Sequence, residues 1–138
     1  MATSMLNYMA DTVGLGAATP TLQSNVIMIP SAGQKPNYNP TANPQRPLNQ
    51  IVILFSMVFS NIDSSNQEQM ISAAVWDTNA AAIPFYIAKN IPIPAGSSLS
   101  MPCKVTLLPT QSLMVWNTST TTGKVHATIS CCSMDQTT

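Results

Sequence analysis

The clearest pattern along this chain is an alternation of apolar and polar residues with a period of two. It is cleanest over 124–132, where Val125, Ala127, Ile129 and Cys131 share one phase and His126, Thr128, Ser130 and Cys132 the other. Successive strand residues point to opposite faces, so this spacing predicts a strand with one buried face. Residues 22–29 predict a short strand that stops at Pro30. Residues 51–59 are β-branched and aromatic without alternation, which predicts a strand buried on both faces. Further strands are predicted over 70–77, 83–89, 98–101, 104–108 and 112–117, with Pro84 placing the 83–89 strand at an edge or a bulge. Turn signals separate them: 61–67, Asp77-Thr78-Asn79, the corner 91–96, Pro109-Thr110-Gln111, and 117–123. No segment carries a sustained helical period. Short strands punctuated this regularly predict an all-β fold, an antiparallel β-sandwich of jelly-roll or Ig-like type.

Two stretches depart from the pattern. Residues 1–21 are mixed: Met5, Leu6, Tyr8 and Met9 fit one helical turn, and Gly14, Gly16 and Pro20 then predict an extended N-terminal arm. Residues 34–49 form a Pro/Asn-rich loop in which Pro36, Pro40, Pro44 and Pro47 oppose both helix and sheet pairing. Long loops of this kind are often functional. The expected organisation is an arm at 1–21 and a sandwich domain at 22–138, with 34–49 inserted as a loop lying on a neighbouring subunit. Aromatic and arginine side chains dominate protein contacts, so Tyr8, Tyr38 and Arg46 are the candidate interface residues.

Composition turns this scaffold toward association. The chain has 138 residues, one domain's worth, and is 45% hydrophobic, which opposes disorder. Only 7% of residues are charged, against roughly 25% in an ordinary soluble domain. A surface so poor in charge tends to associate, and a homo-oligomer is expected. The five basic and five acidic residues cancel and are scattered singly. No basic stripe exists to bind a phosphate backbone, so nucleic acid is not an expected partner. No run of about 18 apolar residues exists to span a membrane as a helix. Residues 1–16 lack a basic region ahead of an apolar stretch, so cytoplasmic synthesis without export is expected.

The chemistry-bearing residues form no catalytic set. His126 is the single histidine and sits on the polar phase of its strand, where a plain surface or interface role is expected. Asp63 and Glu68 share a turn, and a retaining glycosidase pair needs carboxylates about 5 Å apart, but nothing else supports that chemistry. Cys103, Cys131 and Cys132 fit no zinc spacing. The adjacent pair should send one thiol inward and one outward, leaving Cys132 or Cys103 open to an intersubunit disulfide in an oxidising medium. Asn117-Thr118-Ser119 matches a glycosylation sequon, with no export signal to route it there. No phosphate loop, metal or cofactor is expected, and the chain does not read as an enzyme. A carbohydrate-binding module is the alternative from another class, and it requires Trp76 or Trp116 on an exposed face.

One run carries a resemblance. Phe85-Tyr86-Ile87-Ala88-Lys89-Asn90-Ile91-Pro92-Ile93-Pro94-Ala95-Gly96-Ser97-Ser98-Leu99 is similar to a segment of short virion structural proteins of tailed bacteriophages, including cyanophages. Lys104-Val105-Thr106-Leu107, Ser112-Leu113-Met114-Val115 and the 123–130 strand resemble the elements that follow it, and Phe59-Ser60-Asn61-Ile62-Asp63 and Ile29-Pro30-Ser31-Ala32-Gly33 resemble elements before it. The resemblance covers 50–132, with a second match at 22–33. It departs at Thr110-Gln111, where the family has Gly-Asp, and at 34–49, which reads as an insertion. It implies a virion component made in the host cytoplasm: a capsid decoration (cement) protein bridging shell subunits, or else a neck, collar or tail accessory. The implied partners are the major capsid protein or neck and tail subunits. In physical terms, Pro92 and Pro94 remove backbone donors, Ala95-Gly96 permits a corner, and Ser97 and Ser98 are placed to bond back to it.

Overall fold

The structure, a computed structural model, describes residues 3–13, 26–34, 45–63, 66–77, 84–117 and 124–135; in the first two strands the described side chains are Met9 and Ile29. The described residues form eight strands: β1 (Thr3–Val13), β2 (Val26–Ile29), β3 (Gln50–Asn61), β4 (Gln69–Asp77), β5 (Phe85–Ile93), β6 (Ser98–Leu107), β7 (Gln111–Asn117) and β8 (Lys124–Asp135). They form two four-stranded sheets, β1-β8-β3-β6 and β2-β7-β4-β5, antiparallel throughout. The first strand pairs with the last, the second with the seventh, the third with the sixth and the fourth with the fifth. This is one long antiparallel ribbon with its bend between β4 and β5, rolled so that successive pairs alternate between sheets. That topology is the jelly roll. An Ig-like arrangement has seven to nine strands in a different order, so the strand order separates the two expected forms.

The core lies between the sheets. Val52, Leu54, Met57 and Phe59 of β3 and Val125, Ala127, Ile129 and Cys131 of β8 meet Ile71 and Ala73 of β4, Ile93 of β5, and Leu113 and Val115 of β7, all at or near zero exposure. The alternation in β8 is therefore the core face and the open face of one strand. In β3 the expectation of burial on both faces is corrected: Val52, Leu54, Met57 and Phe59 are buried, while Ile51, Ile53 and Val58 are half-buried. The buried positions switch from even to odd numbers because the β3 register shifts between Leu54 and Ser56. One extra residue reverses every later side chain. Phe55 sits at the bulge and is turned outward, 44% exposed.

The N-terminal segment also departs from expectation. Residues 3–13 form neither a helical turn nor a free arm; they pair with β8 from Thr3↔Met134 to Val13↔Lys124 as the edge of the first sheet. The energy of that strand comes from a partner more than a hundred positions away, which local propensity does not register. The 91–96 corner is likewise shorter than expected. β5 runs through Pro92 to Ile93, which is possible because β5 is an edge strand, and the turn occupies Pro94–Ser97 with Ser97 N–H donating to the Pro94 carbonyl at 3.1 Å. Gly96 takes φ +70°, as the third position of a type II turn requires. The Ser98 hydroxyl bonds across the sheet to that of Ser60 at 2.8 Å rather than back to the turn. Residues 98–107 form one strand, β6, through Pro102.

Candidate functional site

Arg46 organises one end of the sandwich. Its side chain is fully buried, and its two terminal nitrogens donate to five backbone carbonyls: Pro30 at 2.9 Å, Gln111 at 2.7 Å, Gln50 at 2.7 Å, Leu107 at 3.1 Å and Leu108 at 2.9 Å. Those carbonyls lie just past the end of β2, at the start of β3, at and just past the end of β6 and at the start of β7, so the guanidinium ties both sheets together. The planar fork makes this possible, since it presents several donors at fixed angles. The expectation of Arg46 as a surface contact is corrected here, because at zero exposure its donors serve its own chain. The loop that carries it is closed at its base: Gly33 N–H donates to the Arg46 carbonyl at 2.7 Å, Arg46 N–H to the Gln34 carbonyl at 3.0 Å, and Gln45 Nε2 to the Gly33 carbonyl at 2.8 Å. Tyr38 lies outside the described residues. Tyr8 is placed in β1 opposite Ile129, and its side chain lies outside the described set.

The turn that Arg46 holds supplies one wall of a groove. Gln111 N–H donates to the Leu108 carbonyl at 2.9 Å, and Leu108 N–H donates to Gln111 Oε1 at 2.9 Å. The Gln111 side chain thus closes the β6–β7 turn. Its amide end then donates from Nε2 to Asp77 Oδ2 at 3.2 Å. Around this pair, Val75 and Asp77 of β4, Phe85 of β5, Val105 and Thr106 of β6 and Gln111 line a groove of about 470 Å³ on the open flank between edge strands β5 and β6. Val75 and Val105 are half-buried and Phe85 is 62% exposed. Of these lining residues, Asp77 is the one that carries a charge.

The outer face of the second sheet bears an aromatic cluster. Ala74, Met114 and Trp116 are buried together with Trp76 packed against them. Tyr86 meets Trp116 edge-on, with centroids 5.6 Å apart at 64°, and Lys89 Nζ stands 5.0 Å from the centre of the Tyr86 ring. Trp116 is 2% exposed and so is not a sugar platform.

On the first sheet, the register sets Asp11, His126, Ser60 and Ser98 in one row across β1, β8, β3 and β6. The sequence conceals this row because its members are far apart in the chain. His126 is exposed there, and the Ser60 hydroxyl is bonded to Ser98. No group of three or more His, Cys, Asp or Glu placed to hold a metal occurs among the described residues. No disulfide joins Cys103, Cys131 and Cys132. Cys131 lies in the core and Cys132 is half-buried, as the alternation predicts. Burial, chiefly, and the neighbouring Cys132 push the Cys131 thiol up to about 12, with Arg46 opposing; burial also raises Cys103.

No protein-family model and no curated protein matches this chain. Among solved structures, a chain in the structure of infectious bursal disease virus, Gx strain, matches with a TM-score of 0.53 at 12% identity, covering 97% of this chain and 32% of that one. This chain therefore spans about a third of that chain's length. A structure of Eiger TNF from S. frugiperda matches at 12% identity with a TM-score of 0.37, covering 97% of this chain and 96% of that one. The likeness to the viral chain is one of fold.

Groove residues Asp77 and Gln111 read as turn residues in the sequence.

Proposed function

We propose that this chain is a structural subunit of a virus particle, acting by packing against other subunits, and specifically a decoration (cement) protein of the tailed-phage type that its 85–99 segment resembles. The observation that carries the reading is the surface: Leu48, Phe55, Ile62, Phe85, Tyr86 and Leu108 stand exposed on a domain with very few charges. Apolar groups left in water on so weakly charged a surface favour association. The jelly roll agrees with this reading, since the architecture is used in viral shells, although it also serves lectins and cupins and does not decide function by itself.

Sedimentation of purified chain with virus particles, together with quantitative mass spectrometry of the virion, tests this. Saturable binding with copy numbers on the order of hundreds is expected for a decoration protein; about six or twelve copies would move it to a neck ring or tail accessory. A strict monomer by light scattering that also fails to bind particles would overturn the proposal.

A further inference from the structure

The edges of the two sheets are guarded unevenly. A strand edge invites pairing with another chain, and prolines, bulges, lysines and short length block it. β2 has four residues, a register shift and Pro30 directly after it. β5 carries Lys89, Pro92 and two register shifts against β4, with Asn90 at φ +51°. β6 carries Pro102, Lys104 and a register shift against β3. β1 has no such guard. Its eleven residues include no proline, glycine or lysine, and they pair with β8 position by position from Thr3↔Met134 to Val13↔Lys124 without a shift. Among the described residues, β8 is its one strand neighbour. The long unbroken edge is therefore β1, and Asp11 is the single charged residue along it.

We propose that β1 pairs antiparallel with β1 of a second copy of this chain across a two-fold axis, so that the first sheets of both copies become one continuous sheet. The inference stands on the edge geometry and does not need the virion reading. Three observations select a second copy as the occupant. The other described edges of a copy are blocked, so the edge that can lie along the whole of β1 is another β1. Pairing centred on Tyr8 uses the full strand and sets Met5 opposite the partner's Asp11 and Asn7 opposite the partner's Met9. It also matches faces, because pairing centred on a residue sets even positions against even and odd against odd. Leu6, Tyr8, Ala10 and Thr12 lie opposite the core residues Cys131, Ile129, Ala127 and Val125 of β8, and Met5, Asn7, Met9 and Asp11 opposite Cys132, Ser130, Thr128 and His126 of its open face. The core phase of one copy therefore continues as the core phase of the other, where a slip of one residue would reverse it. Lastly, charge does not oppose the contact. Asp11 and the partner's Asp11 stand about 20 Å apart along the ladder, at about 3.4 Å per residue, well beyond the roughly 8 Å over which charges act at physiological salt. The pairing occupies both β1 edges at once, so assembly through this contact closes at a dimer.

Analytical ultracentrifugation of the purified full chain across the micromolar range, with hydrogen exchange followed at the same concentrations, tests the contact. A monomer–dimer equilibrium is expected, with exchange protection at 3–13 that rises as the dimer forms. Met9 is 52% exposed, and in this register it lies diagonal to the partner's Met9, about 7–8 Å away. Met9→Lys and Met9→Glu each set like charges across the two-fold axis. Each variant alone should dimerise about fivefold more weakly, the upper end for a cross-strand charge pair. Mixed together, the two variants should form a heterodimer that recovers the loss, which chains weakened by misfolding would not do. A chain that stays monomeric, a dimer without protection at 3–13, growth past the dimer through this edge, or Met9 variants that match the parent or fail to recover on mixing would each overturn the assignment. Particle binding by a strict monomer would refute this contact and leave the virion reading intact. A β1-paired dimer that never joins a particle would support the contact and refute the virion reading.

Discussion

Arg46 Nη1 donates to the Gln111 carbonyl at 2.7 Å across 65 positions of sequence, and through it a loop residue locks the β6–β7 turn. Replacing Arg46 by methionine keeps apolar volume but removes the guanidinium donors from five carbonyls, of which that of Leu108 keeps the Gln111 N–H. The expected loss is about 3 kcal/mol, the upper end for lost hydrogen bonds to a charged group. Arg46→Lys keeps the charge but loses the fork, and should lose roughly 2 kcal/mol. Urea denaturation midpoints at constant m-value measure both.

At the opposite end, buried amides replace the guanidinium. Asn117 Nδ2 donates to Gln69 Oε1 at 2.9 Å, Gln69 Nε2 to Asp63 Oδ2 at 3.3 Å, and Asn61 Nδ2 to the Gln67 and Ile93 carbonyls at 2.8 and 2.9 Å. Asn117→Leu leaves the Gln69 acceptor buried without that donor. A loss of about 1–3 kcal/mol is expected by thermal or chemical unfolding. Gln69→Leu added to Asn117→Leu should lose less than the sum of the two, since removing both partners leaves no orphan between them.

Gly33 and Gly96 both adopt left-handed backbone, at φ +80° and +70°. Alanine at Gly96 meets nothing within 4 Å, so its penalty is backbone strain alone, about 1 kcal/mol. Alanine at Gly33 would come within 2.9 Å of Leu48 Cδ2. Leu48 is 74% exposed and can swing away, so Gly33→Ala should lose only slightly more than Gly96→Ala. A loss several times larger would show that Leu48 is held in place.

The raised Cys131 thiol predicts a pH dependence. Below the ordinary thiol value of 9.0 the folded and unfolded chains both keep the proton. Above it the unfolded thiol ionises while the folded one keeps its proton until about 12. The unfolded chain then binds fewer protons, so stability falls as pH rises through that window. The denaturation midpoint should drop between pH 9 and pH 11. Cys131→Ala should flatten that part of the fall specifically, with a lower starting stability from the lost core volume. In native buffer Cys131 should resist alkylating reagents, since the thiolate is the reactive form.

The last strand shows how far local pattern reaches. Val125, Ala127, Ile129 and Cys131 could be assigned to one face because the pleat makes facing a matter of parity. β3 shows where it fails. Its residues are apolar on both parities, so the bulge at Phe55 leaves no trace in the pattern. Arg46 fails for a different reason: an arginine amid prolines and asparagines reads as surface, and the carbonyls that repay its burial come from β2, β3, β6 and β7. The groove is hidden likewise, because Asp77, Phe85, Val105 and Gln111 sit on four strands.

The sequence by itself determined the fold class of this protein: strand-length apolar segments, regularly spaced turn signals and a composition only 7% charged. These are properties of neighbouring residues, and period, propensity and charge are local. Only the tertiary structure decided the jelly-roll order, the recruitment of 3–13 as a strand, the burial of Arg46 and the open flank beside Phe85. Each of these depends on which distant strands pair, and antiparallel pairing can join the same local patterns in many orders. Packing selects one of them, and that selection creates both the buried guanidinium site and the unfilled edge.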